Sequence, residues 1–372
     1  MIKYLSKVGS KKLGQTAVVR LDFNTEDDWR MATAIPTLKF LIKNGCKVLV
    51  LSHKGRPNSI EKMSSLKKDS EKLARLLGKK VRFIPHFRFS EIKREIQEAP
   101  RGSVFVLENI RFLKGEGSND LKLAKDLAGL GDFYVNEAFA VSHRAAASVL
   151  AITQFLPSYA GLGLEQEITH LTRVMKSPVR PLLLIVGGGK ASDKVELIKF
   201  FNKKADTILT GGAAANTLLL TSGYDIKKSL ADREGAKSFR PILKYKNLVL
   251  PIDYGVSGDK ILDIGPKTVE FYVSRIEKAK TIIWNGPMGF VEKKPFDRGT
   301  LAITKAIVKN KRCFSVTGGG ETVEFLKKHR LDKGFSFIST GGGAMLDFLA
   351  GKTLPGLKAL EGSLKFKSQN EK

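Results

Sequence analysis

Eleven short apolar runs, rich in β-branched residues, punctuate this chain. Each closes on glycine or polar residues and gives way to an amphipathic stretch. In the first half they are Ala17–Leu21, Val48–Leu51, Val81–Ile84, Val104–Leu107 and Phe133–Val135. In the second half they are Leu182–Val186, Thr207–Leu209, Leu248–Leu250, Thr281–Ile283, Phe314–Val316 and Phe335–Ile338. A strand that is apolar along its whole length needs cover on both faces, and crossover helices of a parallel sheet supply it. The pattern predicts an α/β protein with two Rossmann-like domains, each a parallel β-sheet flanked by helices.

The length of 372 residues suits two domains. Between Leu156 and Pro181 the pattern breaks at Pro157, Gly161 and Gly163, after which Leu164, Ile168, Leu171 and Met175 recur at helical spacing. This places a first domain at 1–156, an interdomain hinge helix within 157–180, a second domain at 181–350 and a C-terminal segment at 351–372. No apolar run approaches the roughly 18–20 residues that span a bilayer, and Met1–Ser10 lacks the continuous apolar stretch of a leader. Cys46 and Cys313 lie far apart with no metal-ligand spacing, so the expectation is a reducing, cytoplasmic setting.

The net charge is +27. Residues 1–155 hold 28 Lys and Arg against 16 Asp and Glu, and the rest hold 36 against 21. A nucleic-acid module would concentrate the excess on one arm or face; here it is spread over both halves. Such a field steers small polyanions but is larger than they require.

Ligands of open parallel sheets bind at the carboxyl ends of the strands, so the residues just after each run carry the functional signal. In the second half three runs end on glycine triplets: Gly187-Gly188-Gly189-Lys190, Gly318-Gly319-Gly320-Glu321-Thr322 and Gly341-Gly342-Gly343. A fourth leads into Gly211-Gly212. One such turn is ordinary strand–helix geometry. Four on one sheet point to an anionic ligand approached by backbone N–H groups and helix N-termini. No P-loop and no GxGxxG is present, so any nucleotide would be held by several separate helix ends, with Lys190 and Lys194 adding charge. Trp284-Asn285-Gly286-Pro287-Met288-Gly289 follows another run and reads as turn chemistry or as a rigid ligand rim.

The first half ends its runs differently, on Asp22-Phe23-Asn24, Ser52-His53-Lys54-Gly55-Arg56-Pro57, Glu108-Asn109-Ile110-Arg111 and Asn136-Glu137, with Arg30, His143 and Arg144 close behind. Any one arginine could be a surface charge. Together they predict a site for a small acid bearing carboxylate and phosphate, both of which guanidinium binds in bidentate fashion. His86, His170 and His329 have no companions and read as structural or solvent-facing.

In order along the chain, Arg20-Leu-Asp-Phe-Asn24, Leu51-Ser-His-Lys-Gly-Arg-Pro57, Leu107-Glu-Asn-Ile-Arg-Phe112, Gly187-Gly-Gly-Lys-Ala-Ser-Asp-Lys194, Asp263-Ile-Gly-Pro-Lys267, Trp284-Asn-Gly-Pro-Met-Gly289, Gly318-Gly-Gly-Glu-Thr322 and Ser339-Thr-Gly-Gly-Gly-Ala344 resemble the phosphoglycerate kinase family from Val19 to Leu360. The resemblance implies reversible transfer between 1,3-bisphosphoglycerate with ADP and 3-phosphoglycerate with ATP, with Mg²⁺, in a monomeric cytoplasmic enzyme of glycolysis and gluconeogenesis. It implies an acid pocket of Asp22, Asn24, Arg30, His53, Arg56, Arg111 and Arg144. It implies a nucleotide site of Lys194, Asn285, Glu292, Gly318, Gly319, Gly320, Glu321 and Thr322, with Glu292 on the ribose and Glu321 toward the metal. Lys190 and Arg30, with the amides near Gly320 and Gly343, would meet the transferring group, and 358–372 would return to the first domain. The nucleophiles of that reaction are already anionic, so no general base is required; in-line positioning and charge neutralisation suffice.

Several positions depart from the family pattern. Thr25–Trp29 is a short loop, Ala146 replaces the second histidine of an HRAH motif, Ala140 replaces Gly, and Glu137 and Glu321 each replace Asp. Two other readings fit the same residues. A different small-acid kinase or nucleotide-dependent ligase would turn over another acid in place of 3-phosphoglycerate. A non-catalytic nucleic-acid binder would show affinity that falls steeply with salt; as a side property of the charge, nucleic-acid binding is compatible with the kinase reading.

Overall fold

The computed structural model describes residues 1–9, 13, 15–25, 28–55 and 64–362. The chain forms two compact units: Met1–Ile168 with the segment from Thr353 onward, and Thr169–Lys352.

In the first unit the elements run β1 (Thr16–Arg20), α1 (Trp29–Lys43), β2 (Lys47–Leu51), α2 (Lys67–Leu77), β3 (Val81–Ile84), α3 (Phe89–Glu98), β4 (Val104–Leu107), α4 (Leu121–Ala128), β5 (Phe133–Asn136) and β6 (Ser158–Ala160), then α5 (Leu162–Lys176), within which the two units divide. The six strands form one sheet in the order β3-β4-β2-β1-β5-β6, parallel throughout. The second unit runs β7 (Leu182–Val186), α6 (Val195–Phe201), β8 (Thr207–Thr210), α7 (Gly212–Thr221), β9 (Leu248–Val249), β10 (Tyr254–Ser257), β11 (Lys260–Ile264), α8 (Pro266–Lys278), β12 (Thr281–Asn285), α9 (Arg298–Lys309), β13 (Phe314–Gly318), α10 (Gly320–Lys328), β14 (Phe337–Ser339) and α11 (Gly343–Leu349). Its sheet is also six-stranded and parallel, ordered β14-β13-β12-β7-β8-β9. α12 (Pro355–Gly362) belongs to the first unit, where the Gly356 N–H donates to the Ser142 carbonyl at 2.9 Å.

Each of the eleven apolar runs becomes a strand, with the last displaced to Phe337–Ser339. Every residue of β1, β2, β4, β5, β7 and β12 is buried, as two-sided cover requires. Among the described residues three further strands lie outside those runs. β6 is a three-residue edge strand. β10 and β11 form an antiparallel hairpin, bulged at Gly255/Val256 and largely exposed, so neither has the continuous apolar signature.

The register decides where chemistry can occur. Arg20 pairs with both Leu51 and Asn136, so the residues after β1, β2 and β5 leave the sheet at one level. In the second sheet Asn285 pairs with Val186 and Gly318, Val186 with Thr210, and Gly318 with Ser339. Trp284, fully buried at the centre of that sheet, donates its indole N–H to the Gly286 carbonyl at 2.8 Å and so fixes the first turn beyond β12.

α5 starts under unusual constraint. Two of its orphan N–H groups are taken by side chains from elsewhere: Leu162 donates to Thr37 Oγ1 at 2.8 Å and Gly163 to Glu137 Oε1 at 2.7 Å. A Cβ at Gly161 or Gly163 would lie 1.7 or 2.2 Å from a Glu137 oxygen, so both glycines exist to admit that carboxyl. Glu137 is only half-buried as a residue, but its Oε2 is sealed from solvent. Burial pushes its pKa up to about 8 against the lowering effect of the Gly163, Thr37 and Leu164 donors. An acid whose folded pKa is raised is stabilising while both states hold the proton, and that stability is lost as pH rises from the unfolded value near 4.5 through about 8. Urea unfolding should therefore show Glu137→Gln gaining on the wild type by on the order of 4 kcal/mol between pH 5 and pH 9. Parallel stability–pH curves would show that the carboxyl is not held protonated.

Candidate active site

In the first unit the site is built on a buried guanidinium. Arg20, 1% exposed at the end of β1, donates from Nε to Ser148 Oγ at 2.9 Å and from Nη1 to the Leu21 carbonyl, and its Nη2 lies 3.0 Å from His53 Nδ1. Ser148 Oγ in turn donates to Glu116 Oε1 at 2.7 Å, and the Ser148 N–H to Glu116 Oε2 at 3.0 Å, so a buried carboxylate balances the buried cation through one hydroxyl. An arginine can only donate, so His53 Nδ1 accepts and its proton sits on Nε2. The imidazole is held well below its usual pKa, first by burial and then by Arg20, Arg111, Arg144 and Arg30. It is neutral, and its 3.9 Å approach to Asp22 is not an ion pair.

Asp22 pairs with Arg30 at 2.8 Å and accepts the Asn24 N–H at 3.1 Å, while Asn24 Oδ1 accepts the Gly55 N–H at 2.8 Å. Glu108 accepts the N–H groups of Leu66 and Asn109, and Asn109 bonds the carbonyls of Lys54 and Ser64 and the Arg111 N–H, which carries Arg111 to the same edge. Arg111 has its pKa lowered by burial first and then by Arg144 and Arg20; a guanidinium stays charged regardless. Arg144 is exposed, with Nε 3.3 Å from His143 Nε2. Asp22, Asn24, Arg30, His53, Arg111 and Arg144 therefore gather at one carboxyl edge. Arg56 lies outside the described residues. Three buried atoms there, Arg30 Nε, His53 Nε2 and Arg111 Nη1, have no protein partner. All three are donors, and buried donors of this kind call for an acceptor.

In the second unit the loops after the strands are tied to one another. The Gly187 N–H donates to the Asn285 carbonyl, Gly188 to Pro287 and Gly212 to Met288, at 2.7 to 2.9 Å. A Cβ at Gly286 (φ +91°) would sit 2.2 Å from the Gly187 carbonyl oxygen, so only glycine allows β7 and β12 to end this close together. Lys194 is buried, hydrogen-bonded to Asn285 Oδ1, and lowered to a pKa of about 8, chiefly by burial and against the pull of Asp193 and Glu321. Asn285 Nδ2 is committed to the Gly318 carbonyl at 2.8 Å, and the Gly286 N–H to Thr322 Oγ1 at 3.0 Å.

Two cavities border these loops. One of about 260 Å³ is lined by Gly188, Gly189, Lys190, Asp193, Lys194, Asn285, Gly286, Gly319, Gly320, Glu321, Thr322, Gly342, Gly343 and Leu346. The other, about 450 Å³, has apolar walls of Ala213, Leu230, Pro251, Tyr254, Ile261, Pro287 and Met288, with Glu292 and Glu321 on it. The first presents amides and lysines and suits phosphates; the second suits a flat apolar ring. Gly318 lines neither cavity and serves through its carbonyl. Lys190 is exposed, and around Gly320 and Gly343 a side chain would meet open space, leaving both backbones approachable. A larger cavity of about 660 Å³ opens at the amino ends of β3 and β4 among Lys79, Arg82, Arg94 and Glu98. None of the predicted residues lines it, and its Arg82 and Glu95 neutralise each other at 2.7 Å.

The sequence profile of the phosphoglycerate kinase family matches residues 10–352. The chain belongs to the phosphoglycerate kinase family. The phosphoglycerate kinase of Dictyoglomus turgidum is 40% identical over 94% of this chain and 96% of its own length, and that of Thermosipho africanus 39% over 95% and 97%. Among solved structures, phosphoglycerate kinase from Coxiella burnetii aligns with a TM-score of 0.82 at 34% identity, and that from Pyrococcus horikoshii with 0.88 at 31%, each over 97% of this chain and 99% of its own. Phosphoglycerate kinases are glycolytic kinases with ATP and ADP as substrates, and the two six-stranded parallel sheets are the architecture of that family. Among the described residues no helix is long and apolar enough to cross a membrane.

From the sequence Arg20 carries no role, because it reads as one residue inside the apolar run Ala17–Leu21; its one signal is a full charge within a run expected to be buried. Asp193 and most of the apolar wall carry no assignment from the sequence, since Ala213, Leu230, Pro251, Tyr254 and Ile261 are scattered and form no local motif; Pro287 and Met288 belong to the Trp284–Gly289 segment already read as turn chemistry or a ligand rim. Arg20→Lys keeps the charge but cannot reach Ser148, Leu21 and His53 together. Chemical unfolding should register a loss of roughly 2–4 kcal/mol, together with a raised KM for the acid. Unchanged stability would mean that the Ser148–Glu116 chain does not hold the guanidinium.

Proposed function

We propose that the carboxyl edge of the first sheet binds 3-phosphoglycerate or 1,3-bisphosphoglycerate, that the two cavities of the second unit bind ATP or ADP, and that the phosphoryl group passes in line between them. The observation that carries the first half of this reading is the trio of buried, unpartnered donors on Arg30, His53 and Arg111. They lie where burial first, and then the guanidiniums of Arg20, Arg30, Arg111 and Arg144, disfavour positive charge on His53, so an anionic acid relieves both the missing acceptors and the repulsion. Neutral His53 donates from Nε2 without adding to that charge.

For the nucleotide, the apolar cavity takes the base, Glu292 reaches the ribose, and the phosphates follow the glycine turns toward Lys194, Gly319 and Gly320. Asn285 orients Lys194 and keeps its ammonium in place at the cost of its own carbonyl oxygen. Lys190 and Arg30, with the amides near Gly320 and Gly343, neutralise the equatorial oxygens of the group in flight. Because acid and nucleotide belong to different units, transfer requires the units to close and exclude water, with α5 as the connecting element.

The donor set also fits Mg²⁺. Among the described residues no three metal-ligating side chains cluster, but Glu321 borders both cavities and Asp193 the smaller one, which suits an ion held by one or two carboxylates and by the nucleotide's own phosphates. When bound, the ion shields phosphate oxygens from each other. The reading is of a cytoplasmic monomer acting on small molecules; any affinity for nucleic acid would be a salt-sensitive consequence of the +27 charge.

A coupled assay with 3-phosphoglycerate and Mg-ATP tests this. Wild type should turn over, and Lys190→Ala should lose about 100-fold or more in kcat with a much smaller change in either KM. Equal rates in the two proteins would remove Lys190 from the transfer step, and turnover of a different acid in preference to 3-phosphoglycerate would replace the substrate assignment.

A further inference from the structure

Asp263, which opens the Asp263-Ile-Gly-Pro-Lys267 segment, has no part in the chemistry above. Of the three carboxylates lining the 450 Å³ cavity, it is the buried one, 6% exposed where Glu292 and Glu321 are exposed. It sits in β11, outside the parallel sheet, yet it is bonded to the far side of the cavity wall. Its Oδ2 accepts the N–H of Gly299 in the first turn of α9 at 2.8 Å, and its Oδ1 accepts the N–H of Ile264 at 2.8 Å. One residue before it, the Leu262 carbonyl accepts the Phe290 N–H at 2.7 Å. A Cβ at Gly289 would stand 2.3 Å from Asp263 Oδ1, and one at Gly299 2.4 Å. The carboxylate thus fills a slot between two glycines at the two ends of one loop. That loop, from β12 to α9, carries Met288, Phe290 and Glu292 onto the cavity.

We propose that Asp263 is a positioning residue for the nucleotide: by pinning Gly299 and packing against Gly289, it fixes the loop that forms one wall of the cavity and so sets affinity for ADP and ATP. The inference rests on the assignment of the nucleotide to this cavity. The role needs the ionised form, since a protonated oxygen is a poor acceptor for the Gly299 N–H. Burial raises the Asp263 pKa to about 7, against the two N–H donors and with help from Asp297 on the same loop. Tyr254 of β10, Lys260 of β11, Lys228, Glu292 of the loop and Glu321 of α10 border the same cavity. Affinity for nucleotide therefore falls as pH drops through 7. The phosphates of ADP titrate in the same range, so the Asp263-dependent part is the difference between wild type and Asp263→Asn.

The test is calorimetric Kd for ADP at pH 6, 7, 8 and 9, with kcat, KM for ATP and Kd for 3-phosphoglycerate at pH 8. Asp263→Asn should weaken ADP about tenfold at pH 8, the effect of losing one charged hydrogen bond. The gap to wild type should close toward pH 6, KM for ATP should rise in parallel, and kcat and acid affinity should stay within about threefold. Should that variant not fold, Asp297→Asn removes the charge that raises Asp263 without entering the slot, and it should move the midpoint of the affinity change to lower pH; an unmoved midpoint overturns the proposal. Leu230→Glu, at a cavity-lining position 64% exposed, reads the assignment underneath. If it weakens ADP while Asp263→Asn matches wild type at every pH, the Asp263 role is overturned and the cavity assignment stands. If Leu230→Glu leaves ADP affinity unchanged, the cavity assignment falls and this inference with it.

Discussion

Parallel pairing in register is the constraint from which the rest of this molecule follows. Because Arg20, Leu51 and Asn136 share one level in the first sheet, and Val186, Thr210, Asn285, Gly318 and Ser339 one level in the second, every loop that follows them starts from the same edge. A slip of one residue in a single strand would turn its side chains to the opposite face and withdraw its loop from the site. The apolar strands therefore do more than fill two cores; they act as a gauge that sets the height at which glycines, lysines and arginines appear.

The two edges solve opposite electrostatic problems. The first concentrates full positive charge, which is costly out of water. It does so through one deeply buried cation, Arg20, that is balanced by Glu116 across a serine, and through a histidine kept neutral so that it donates without repelling. The second relies on backbone. Glycine after glycine lets strand ends and helix starts approach closely, and among the described residues of that edge Lys194, locked by Asn285, brings the buried positive charge. Side chains suit an acid with two differently shaped anionic ends, because guanidinium recognition is directional. Amides suit a chain of phosphates, because partial charges can be lined up along it.

The architecture was legible because two-sided burial leaves a signature in the sequence itself: all-apolar runs such as Val48–Leu51 and Leu182–Val186 have few other folded uses. What escaped had no such signature. Ser158–Ala160 pairs at an edge with three residues, and the Tyr254–Ile264 hairpin is mostly exposed, so neither needed apolar continuity. The same physics governs the site. Candidate residues that sit at or just past a strand end, among them His53, Arg111, Lys190 and Asn285, stand out by position alone. Residues that act by supporting others do not. Arg20, Glu116 and Ser148 meet only after β1 and the turns before α4 and β6 are brought together, and Asp263 shows its place only when Gly289 and Gly299 close around it. Glu137, at a position where the family pattern has Asp, is legible as a change but not as a buried carboxyl that caps α5.

The central claim is that two anion receptors of different chemistry stand at the carboxyl edges of two parallel sheets. A crystal structure with 3-phosphoglycerate and Mg-ADP bound addresses it most directly. The acid should accept hydrogen bonds from Arg30 Nε, His53 Nε2 and Arg111 Nη1, and the nucleotide phosphates should lie against Lys194 and the Gly319–Gly320 amides. An acid seated away from that trio, for example among Lys79, Arg82 and Arg94 at the amino ends of β3 and β4, would contradict the account.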